Sequence, residues 1–442
     1  MEPLHALARF VQDLAQDQHG PQRKFIHDIL FGILAGQSLI IADVVRSLNE
    51  PIEPGATEKR LSRNLNSDRL DEGRLHARYL EMLSPHLKVN NGAGVVIGID
   101  YTDIIREYGD LREGRGSEAL RRCWNGSDGH TTPGYPIVQF EAVLPSRVSL
   151  PLAYQVFSVD EPDHMSQPME FMKAATMLRP YLGDETYWCF DRAFITKRWT
   201  DTLDGLDVRH WVGRLKISTE DRKNKAEITL VTAKGEFKKV HEIADGLESR
   251  FSYEYEPTKR QRKHRKTIRI DVCHCKVWLA HGPQGGVPKR KWGKHGPVRT
   301  LIVLHGFGKA PMVLLANGWL RTKKQIMRAI RVYRRRWLAT EESTRGMKDR
   351  FGWGVGLETV RALKLRGVKR MIMLASFVYG FMGLLRIHAP KLVTKLAKAA
   401  RAMGGEPADP RYRILRGLSD KLGRVYRKVF ERWRKKVAIL EA

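Results

Sequence analysis

The sequence predicts an α/β protein in which helical segments at both ends flank a core of strands and helices. Three observations lead to this fold class. Apolar residues recur at helical spacing within residues 1–90, and short apolar runs typical of buried strands follow between residues 94 and 216. Helical spacing then returns from Lys323 to the end of the chain.

The first 90 residues are predicted to be a helical DNA-binding domain. Residues 25–45 (FIHDILFGILAGQSLIIADVV) carry apolar residues at helical spacing, and a second segment, residues 58–67 (EKRLSRNLNS), follows a break at residues 51–55. Lys59, Arg60 and Arg63 make this second segment basic. A small helical domain with a basic helix can dock on DNA, and an ordinary solvated helix face is the alternative interpretation.

The core begins with an unbroken apolar run, residues 94–99 (GVVIGI), which predicts a buried strand that ends at Asp100. A second short strand, within residues 187–194 (YWCFDRAF), is predicted to end at Asp191. The remaining predicted elements up to residue 216 are strands at 136–142, 147–157 and 209–216 and a helix at 167–182. This order is typical of a mixed sheet with helices.

Residues 217–300 are predicted to be a β-rich, basic insertion. Residues 267–279 (TIRIDVCHCKVWL) alternate as a half-exposed strand does, and two basic runs, residues 259–266 and 288–296, lie around them. Buried strands are expected again at 301–305 and 311–316, followed by a helix over 323–348. Residues 391–442 are predicted to be a helical, basic C-terminal region.

The charge of the chain indicates a polyanionic partner. It has 78 Lys and Arg residues against 49 Asp and Glu, which gives a formal net charge of +29. Nucleic acid is the commonest large polyanion in a cell. The longest apolar run, residues 371–385, is bracketed by Arg370 and Arg386, so no membrane span is predicted. The four cysteines form no recognisable disulfide framework, which fits the cytoplasm.

Two aspartates at strand ends and a carboxylate from the 323–348 helix could together hold metal ions. Side chains at strand ends reach the rim of a sheet, where sites are commonly built, although Asp and Glu are common there. Oxygen-only ligands favour Mg²⁺ or Mn²⁺, and two such ions about 3.5–4 Å apart activate a nucleophile and stabilise the leaving oxygen of a phosphodiester.

The 323–348 helix carries Tyr333, Arg336, Glu341 and Lys348. Glu341 and Lys348 are seven residues apart, close to two helical turns, so they share a face. A carboxylate that binds metal and a cation that binds a phosphate would then point the same way. A helix with surface ion pairs, such as Glu341 with Arg345, is the alternative.

In these segments the chain resembles the bacterial insertion-sequence transposases of the Asp-Asp-Glu class that have a Tyr-Arg-Glu-Lys signature. The matching pieces lie in family order over roughly residues 90–390: GIDYTDI, CFDRAF, WVGRLK, YRRRWLATEESTRGMK and GLETVRALKLRGVKRM. The resemblance implies a ribonuclease-H-like catalytic domain over 91–390, interrupted by the insertion. It implies Asp100, Asp191 and Glu341 as catalytic metal ligands, and contacts to DNA from Tyr333, Arg336 and Lys348.

The spacing of the helix motif departs from the family pattern. Four residues separate Arg336 from Glu341 where the family has three, so that Thr340 occupies the expected position of the glutamate. A one-residue helix bulge would restore the register, and the six-residue gap to Lys348 selects Glu341 over Glu342. For the first aspartate, Asp100 is preferred over Asp103 because it directly follows the buried run.

Further residues are candidates for contacts with DNA. Arg192, beside Asp191, suits a phosphate or carboxylate clamp, with an ordinary salt bridge as the alternative. Trp292 lies in a basic segment and could stack on an unpaired base at a transposon end, although a lone Trp is more often a packing residue. A basic stretch, Lys364–Arg370, is expected to contact phosphates.

The sequence therefore predicts a transposase that uses Mg²⁺ or Mn²⁺, as two ions in the manner the family resemblance implies, to cleave DNA and join it to a target. The expected partners are double-stranded DNA at the transposon ends and at the target, and a second copy of the chain when it is assembled on DNA. A related nuclease without strand transfer and a catalytically inactive, transposase-derived DNA-binding protein are the alternatives.

Overall fold

A computed structural model describes residues 2–88, 94–106, 117–125, 129–192, 197–218, 227–256, 267–280, 294–339, 347–348, 354–401 and 411–423. Glu341, Glu342 and Trp292 lie outside the described residues, as do the basic run 259–266 and the chain beyond residue 423. The chain divides into two compact units. Unit 1 comprises residues 1–93, 100–183 and 338–442, and unit 2 comprises residues 94–99 and 184–337.

The helices and strands, numbered in chain order, have the following bounds. The helices are α1 Pro3–Leu14, α2 Gly20–Gly36, α3 Ile41–Leu48, α4 Pro54–Leu65, α5 Glu72–Leu87, α6 Gln167–Leu178, α7 Lys197–Gly205, α8 Val240–Asp245, α9 Lys323–Ala339, α10 Leu365–His388, α11 Pro390–Arg401 and α12 411–423. The strands are β1 Val96–Ile105, β2 Arg121–Asn125, β3 His130–Val143, β4 Ser149–Val156, β5 Tyr187–Phe190, β6 Trp211–Arg214, β7 Thr229–Thr232, β8 Phe237–Lys239, β9 Phe251–Tyr255, β10 Ile268–Ala280, β11 Lys294–His305 and β12 Met312–Asn317. The protein is a mixed α/β structure.

Helix α10 is the central helix of unit 1. It is apolar on most of its surface and packs against β4, α2, α4 and α11. Among the described residues, α10 is the one single helix that is long and apolar enough to cross a membrane. Of its most apolar stretch, 72% is buried inside the protein. Helices α2 and α3, which are bent by 92° relative to each other, are together also long and apolar enough. A helix of this composition that is covered by protein is a core helix.

Two buried arginines fix helices of unit 1 in place. Arg370 of α10 donates hydrogen bonds to the carbonyl oxygens of Leu65, Ser67 and Leu70, between α4 and α5, and pairs with Glu72 at 2.8 Å. Arg411 of α12 pairs at 2.7 Å with Glu141 of β3, whose side chain is fully buried. Polar groups that are this deeply buried need such partners, so both arginines have structural roles.

The strands of unit 1 form an antiparallel meander at one end of β1. Strand β3 pairs antiparallel with β2 and also with β4, and it neighbours β1. The backbone N–H of Arg106 donates to the carbonyl of Pro133 at 2.7 Å, which holds the end of β1 against β3. In the strand order β2 is the terminal strand, so one of its edges carries no partner strand among the described residues.

Unit 2 has a sheet that changes from parallel to antiparallel. The first residues of β1, β5 and β6 are parallel neighbours, and the order continues through β12, β11, β10, β7 and β8 with antiparallel pairs, while β9 also pairs with β10. The apolar face of α9 packs on this sheet. Its Ile326, Ile330 and Tyr333 belong to one buried cluster with strand residues such as Val96 and Cys189.

The structure corrects several predicted bounds. Strand β1 does not end at Asp100 but continues to Ile105, because the residues after Asp100 lie beside β3. Helix α6 ends at Leu178 and a 3-10 helix continues over Arg179–Tyr181, close to the predicted helical range 167–182. Helix α9 is described to Ala339 of the predicted 323–348. Strands β2, β7, β8 and β9 were not anticipated, since short polar strands carry a weak hydrophobic pattern.

Candidate active site

Each of the two aspartates comes directly after a paired residue in the parallel part of the sheet of unit 2. Within unit 2, Ile99 of β1 is paired with Phe190 of β5, and the residue after each in the sequence is an aspartate, Asp100 and Asp191. The printed β1–β5 register runs from Val96 to Ile99. Asp191 thus follows a strand end as predicted, whereas Asp100 lies within β1 at the point where this pairing ends.

Asp100 and Asp191 are each half-buried. The Asp100 carboxylate accepts a hydrogen bond from the backbone N–H of Tyr101 at 2.9 Å, which fixes one of its oxygens close to its own strand. Arg192, next to Asp191, has an exposed side chain. An exposed guanidinium beside a half-buried carboxylate is compatible with the predicted phosphate clamp, which stays a prediction.

In unit 2, Asp191 lies in the same environment as Tyr333 and Arg336, the two signature residues of α9, which we call the α9 motif. Burial raises the pKa of the Tyr333 hydroxyl to about 12, to which Asp191 also contributes, while Arg336 and Arg214 act in the opposite direction. The Arg336 guanidinium lies 5.8 Å from the Tyr333 ring centre. The α9 motif therefore brings a phenol and a cation close to the second aspartate.

Tyr333 and Arg336 are 7% and 5% exposed. Both side chains are consequently placed to support Asp191 from within unit 2, and the contact with DNA expected of them stays a prediction. The neighbouring thiol, Cys189, is fully buried, and this burial raises its pKa, with a further contribution from Asp191. A thiol in that state is a packing group and not a nucleophile.

Lys348 lies in unit 1 with a set of residues around Asp103. Its ammonium group donates to the carbonyl oxygen of Asp103 and forms an ion pair with Glu358 at 3.2 Å. A Glu358 oxygen is also 3.4 Å from the backbone N–H of Ile105. Lys348 thus joins the chain after the α9 motif to β1, and its predicted phosphate contact is not tested by this arrangement.

Burial raises the pKa of the Asp103 carboxyl, and Glu358 acts in the same direction, against a hydrogen bond from Cys123 and the charge of Lys348. Burial also raises the pKa of the Cys123 thiol to about 12, with a contribution from Asp103. The choice of Asp100 over Asp103 as the first aspartate stays a prediction.

Sequence reasoning did not single out Glu358 or Arg214. Both stand in segments that carry the family resemblance, GLETVRALKLRGVKRM and WVGRLK, so their position in those segments was the available signal. Hydrophobic periodicity gave no indication of either residue, because each acts through a contact with a distant part of the chain.

The basic stretch Lys364–Arg370 is engaged within the protein. Arg366 pairs with Asp68, Lys369 with Glu161 and Arg370 with Glu72. These three side chains form ion pairs within unit 1, and the expected phosphate contacts of the stretch stay a prediction. The sequence could not reveal these ion pairs because all three acidic partners are distant in the chain.

Exposed cations are found instead on two helices. In unit 1, Lys59 and Arg63 of α4 are exposed and one turn apart, while Arg60 turns away to pair with Asp28 and Glu50. In unit 2, the exposed cations of α9 are Lys323, Lys324, Arg331 and Arg334. Each helix buries its apolar side and presents cations on the other, which is the arrangement expected for docking on phosphates.

Within the described residues no three His, Cys, Asp or Glu side chains are grouped closely enough to hold a metal ion. The third predicted ligand, Glu341, is not among these residues.

No family model and no curated protein matches the chain. Among solved structures it is similar to a piggyBac transposase, determined as a synaptic complex with hairpin DNA, with a TM-score of 0.39 and 12% sequence identity. This similarity covers 97% of the present chain and 82% of the other. With so low a TM-score, the functional argument depends on the residues of the chain itself.

Proposed function

We propose that the protein is a transposase of the Asp-Asp-Glu class, which cleaves DNA at transposon ends and joins the freed 3′-hydroxyl to target DNA. One observation carries the proposal: Ile99 and Phe190 are register partners on parallel strands, and an aspartate follows each.

The donor set fits a hard divalent cation. Asp100 and Asp191 offer only oxygen ligands, and Glu341 would add a third carboxylate. A bound Mg²⁺ or Mn²⁺ would supply Lewis-acid polarisation of the phosphodiester and activation of the nucleophile. In this proposal Asp100 and Asp191 hold the cation, and Tyr333 and Arg336 keep Asp191 in place from the core of unit 2.

A ribonuclease-H-like core over residues 91–390 belongs to the same proposal. It is supported by the parallel strands β1, β5 and β6 and by the helix α9, which carries the signature residues and packs on them. The strands between residues 227 and 305 occupy the place of the predicted insertion. The site of action would be the DNA of the cytoplasm, with two copies of the chain on paired transposon ends.

The decisive experiment measures Mg²⁺-dependent nicking of a supercoiled plasmid that carries the transposon ends. Asp100→Asn and Asp191→Asn should each lower the nicking rate by orders of magnitude and leave DNA binding intact, because the charge lost is small against a net +29. Asp207→Asn is the matched control, since Asp207 is 70% exposed and pairs with Arg209 on the surface.

Each outcome distinguishes among the three hypotheses. Nicking together with joined products supports a transposase, whereas nicking without joining would indicate the related nuclease. DNA binding without nicking under any divalent cation would indicate an inactive DNA-binding descendant. If either Asp→Asn variant nicked at the wild-type rate, the assignment of that aspartate would be wrong.

A further inference from the structure

A cavity in unit 1 opens beside the terminal strand β2. Its volume is about 730 Å³, and Trp124, Phe157, Pro136 and Val159 supply much of its apolar wall. Charged and amide side chains supply much of the remaining wall: Asp103, Arg121, Arg122 and Gln167. A wall that is partly apolar and partly charged suits a ligand that has both an apolar face and a charged group.

Trp124 is the feature of the cavity that packing does not explain. Its side chain is 59% exposed, and none of the described residues stacks a ring or a cation on its indole. Val159, on the same wall, is 58% exposed. Large apolar side chains are expensive to leave in water, so a cluster of them at a cavity marks a binding surface.

Charge decides which ligand suits this surface. Arg121 and Arg122 precede Trp124 on β2; Arg121 is engaged by Asp160, whereas Arg122 is exposed and forms no ion pair with a described residue. An indole beside an uncompensated guanidinium suits an aromatic ring that is joined to an anion. Asp103 contributes a carboxyl to the cavity wall, which opposes an anion inside the cavity and directs the anion to its rim.

We propose that this cavity receives an unpaired nucleobase of the DNA substrate, with the base stacked on Trp124 and its phosphate on Arg122. The inference rests on the proposed action on DNA and adds a base-binding site to it. Stacking on an aromatic side chain is tolerant of sequence, because every base has a flat π-face. The Gln167 amide offers N–H donors and a carbonyl acceptor for the edge of the base.

The test compares two duplexes that differ in one nucleotide: one fully paired and one with a single bulged 2-aminopurine. Wild type should bind the bulged duplex more tightly and quench its fluorescence. Trp124→Ala should weaken binding to the bulged duplex roughly 5- to 100-fold, while binding to the paired duplex changes little. Trp124→Phe should keep most of the preference, and Arg122→Gln should reduce it.

Phe237→Ala serves as the control, since Phe237 is an exposed aromatic residue of unit 2, 41% exposed. An unchanged melting temperature shows that each variant is folded, as expected for exposed positions. If wild type binds the paired duplex but shows no preference for the bulge, the base-binding site is refuted and the proposed function stands. If wild type binds neither duplex, the proposed function fails as well.

Two further results would overturn the proposal. Equal losses on both duplexes for Trp124→Ala would show that Trp124 contacts paired DNA without reading an extruded base. A change from dimer to monomer in sedimentation would show that the Trp124 surface is instead an interface with a second copy of the chain.

Discussion

Arginine side chains in this protein divide into structural and exposed groups, and sequence alone does not separate them. Arg370 is 3% exposed and donates to three carbonyl oxygens, and Arg299 of unit 2 is fully buried beside Asp204 and the Trp211 ring. Arg63 and Arg331, in contrast, are exposed. In a chain with a net charge of +29, a substantial part of the positive charge therefore serves folding.

Arg370→Ala should destabilise unit 1 by about 3–5 kcal/mol, because it leaves buried carbonyl oxygens without donors and Glu72 without its partner. Urea unfolding followed by circular dichroism measures the change. Arg366→Ala is the control on the same helix: its partner Asp68 is 90% exposed, and loss of an exposed pair should cost no more than about 1 kcal/mol. Equal effects of the two substitutions would contradict the structural role of Arg370.

His76 makes unit 1 sensitive to acid. Its Nε2 atom lies 2.7 Å from the Leu152 carbonyl oxygen, which can only accept, so the neutral ring donates from Nε2. Burial lowers the pKa of His76 below its ordinary value of 6.5, partly opposed by this hydrogen bond. The unfolded chain therefore takes up the proton first, and stability is lost as the pH falls from 6.5 through the lowered pKa.

The measurement is the urea midpoint of wild type and His76→Gln between pH 7.5 and pH 5. Wild type should lose stability below pH 6.5, and the variant should lose less over that interval, although it starts from a lower value. Carboxylates with lowered pKa values, such as Asp28 and Glu50, titrate below this window. A difference between the two proteins that did not vary with pH would exclude His76 as a source of the acid sensitivity.

At the scale of elements, α10 determines how the helices of unit 1 meet its strands. A Cβ atom at Gly380 would lie 2.0 Å from the Tyr79 hydroxyl, and one at Gly383 would lie 2.4 Å from Leu150. The Tyr79 hydroxyl donates a hydrogen bond to the Pro151 carbonyl oxygen at 2.6 Å. The ring of Tyr79 packs on that of Phe377, with 4.4 Å between the ring centres. Two glycines one turn apart thus allow α10 to approach α5 and β4 closely.

Gly380→Ala should destabilise the protein by about 1–3 kcal/mol, because Tyr79 must move and its hydrogen bond is lost, which outweighs the better helix propensity of alanine. Gly55→Ala in α4 is the control, since nothing lies within 4 Å of its Cβ position, and it should be neutral or slightly stabilising. Tyr79→Phe combined with Gly380→Ala should recover part of the loss. If Gly380→Ala were as stable as Gly55→Ala, the close approach would be wrong.

For the whole molecule, the excess of positive charge predicts DNA binding that weakens steeply with salt. Each neutralised phosphate contributes about −0.9 to the slope of log K against log salt concentration. Replacing Lys59 and Arg63 together by Gln should therefore reduce the magnitude of the slope by roughly 2. Fluorescence anisotropy of a labelled duplex between 50 and about 300 mM salt would measure this, over the range where such binding changes most.

Arg46→Gln is the control for that pair, because Arg46 is equally accessible but its charge is already compensated by Asp43 on the same helix. An unchanged slope in the Lys59/Arg63 double variant would place the DNA elsewhere on the protein. A wild-type slope near zero would exclude a DNA partner altogether.

The fold class and the strands that carry the two aspartates could be predicted from the sequence alone. Apolar runs and apolar residues at helical spacing predicted β1, β5, β10 and the helical segments. This works because the burial of apolar side chains determines where they stand along a strand or helix. The sequence also shows the excess positive charge and the candidate residues Asp100 and Asp191, since these depend only on residue type and on neighbours along the chain.

The remaining features depend on how distant parts of the chain meet in the fold. The continuation of β1 past Asp100, the pairing of Ile99 with Phe190 and the assembly of Asp103, Lys348 and Glu358 depend on residues that are far apart in sequence. The same holds for the ion pairs that engage the Lys364–Arg370 stretch and for the exposure of Trp124. Each of these contacts depends on which residues from distant parts of the chain lie next to one another in the fold. Local periodicity contains no information about those neighbours.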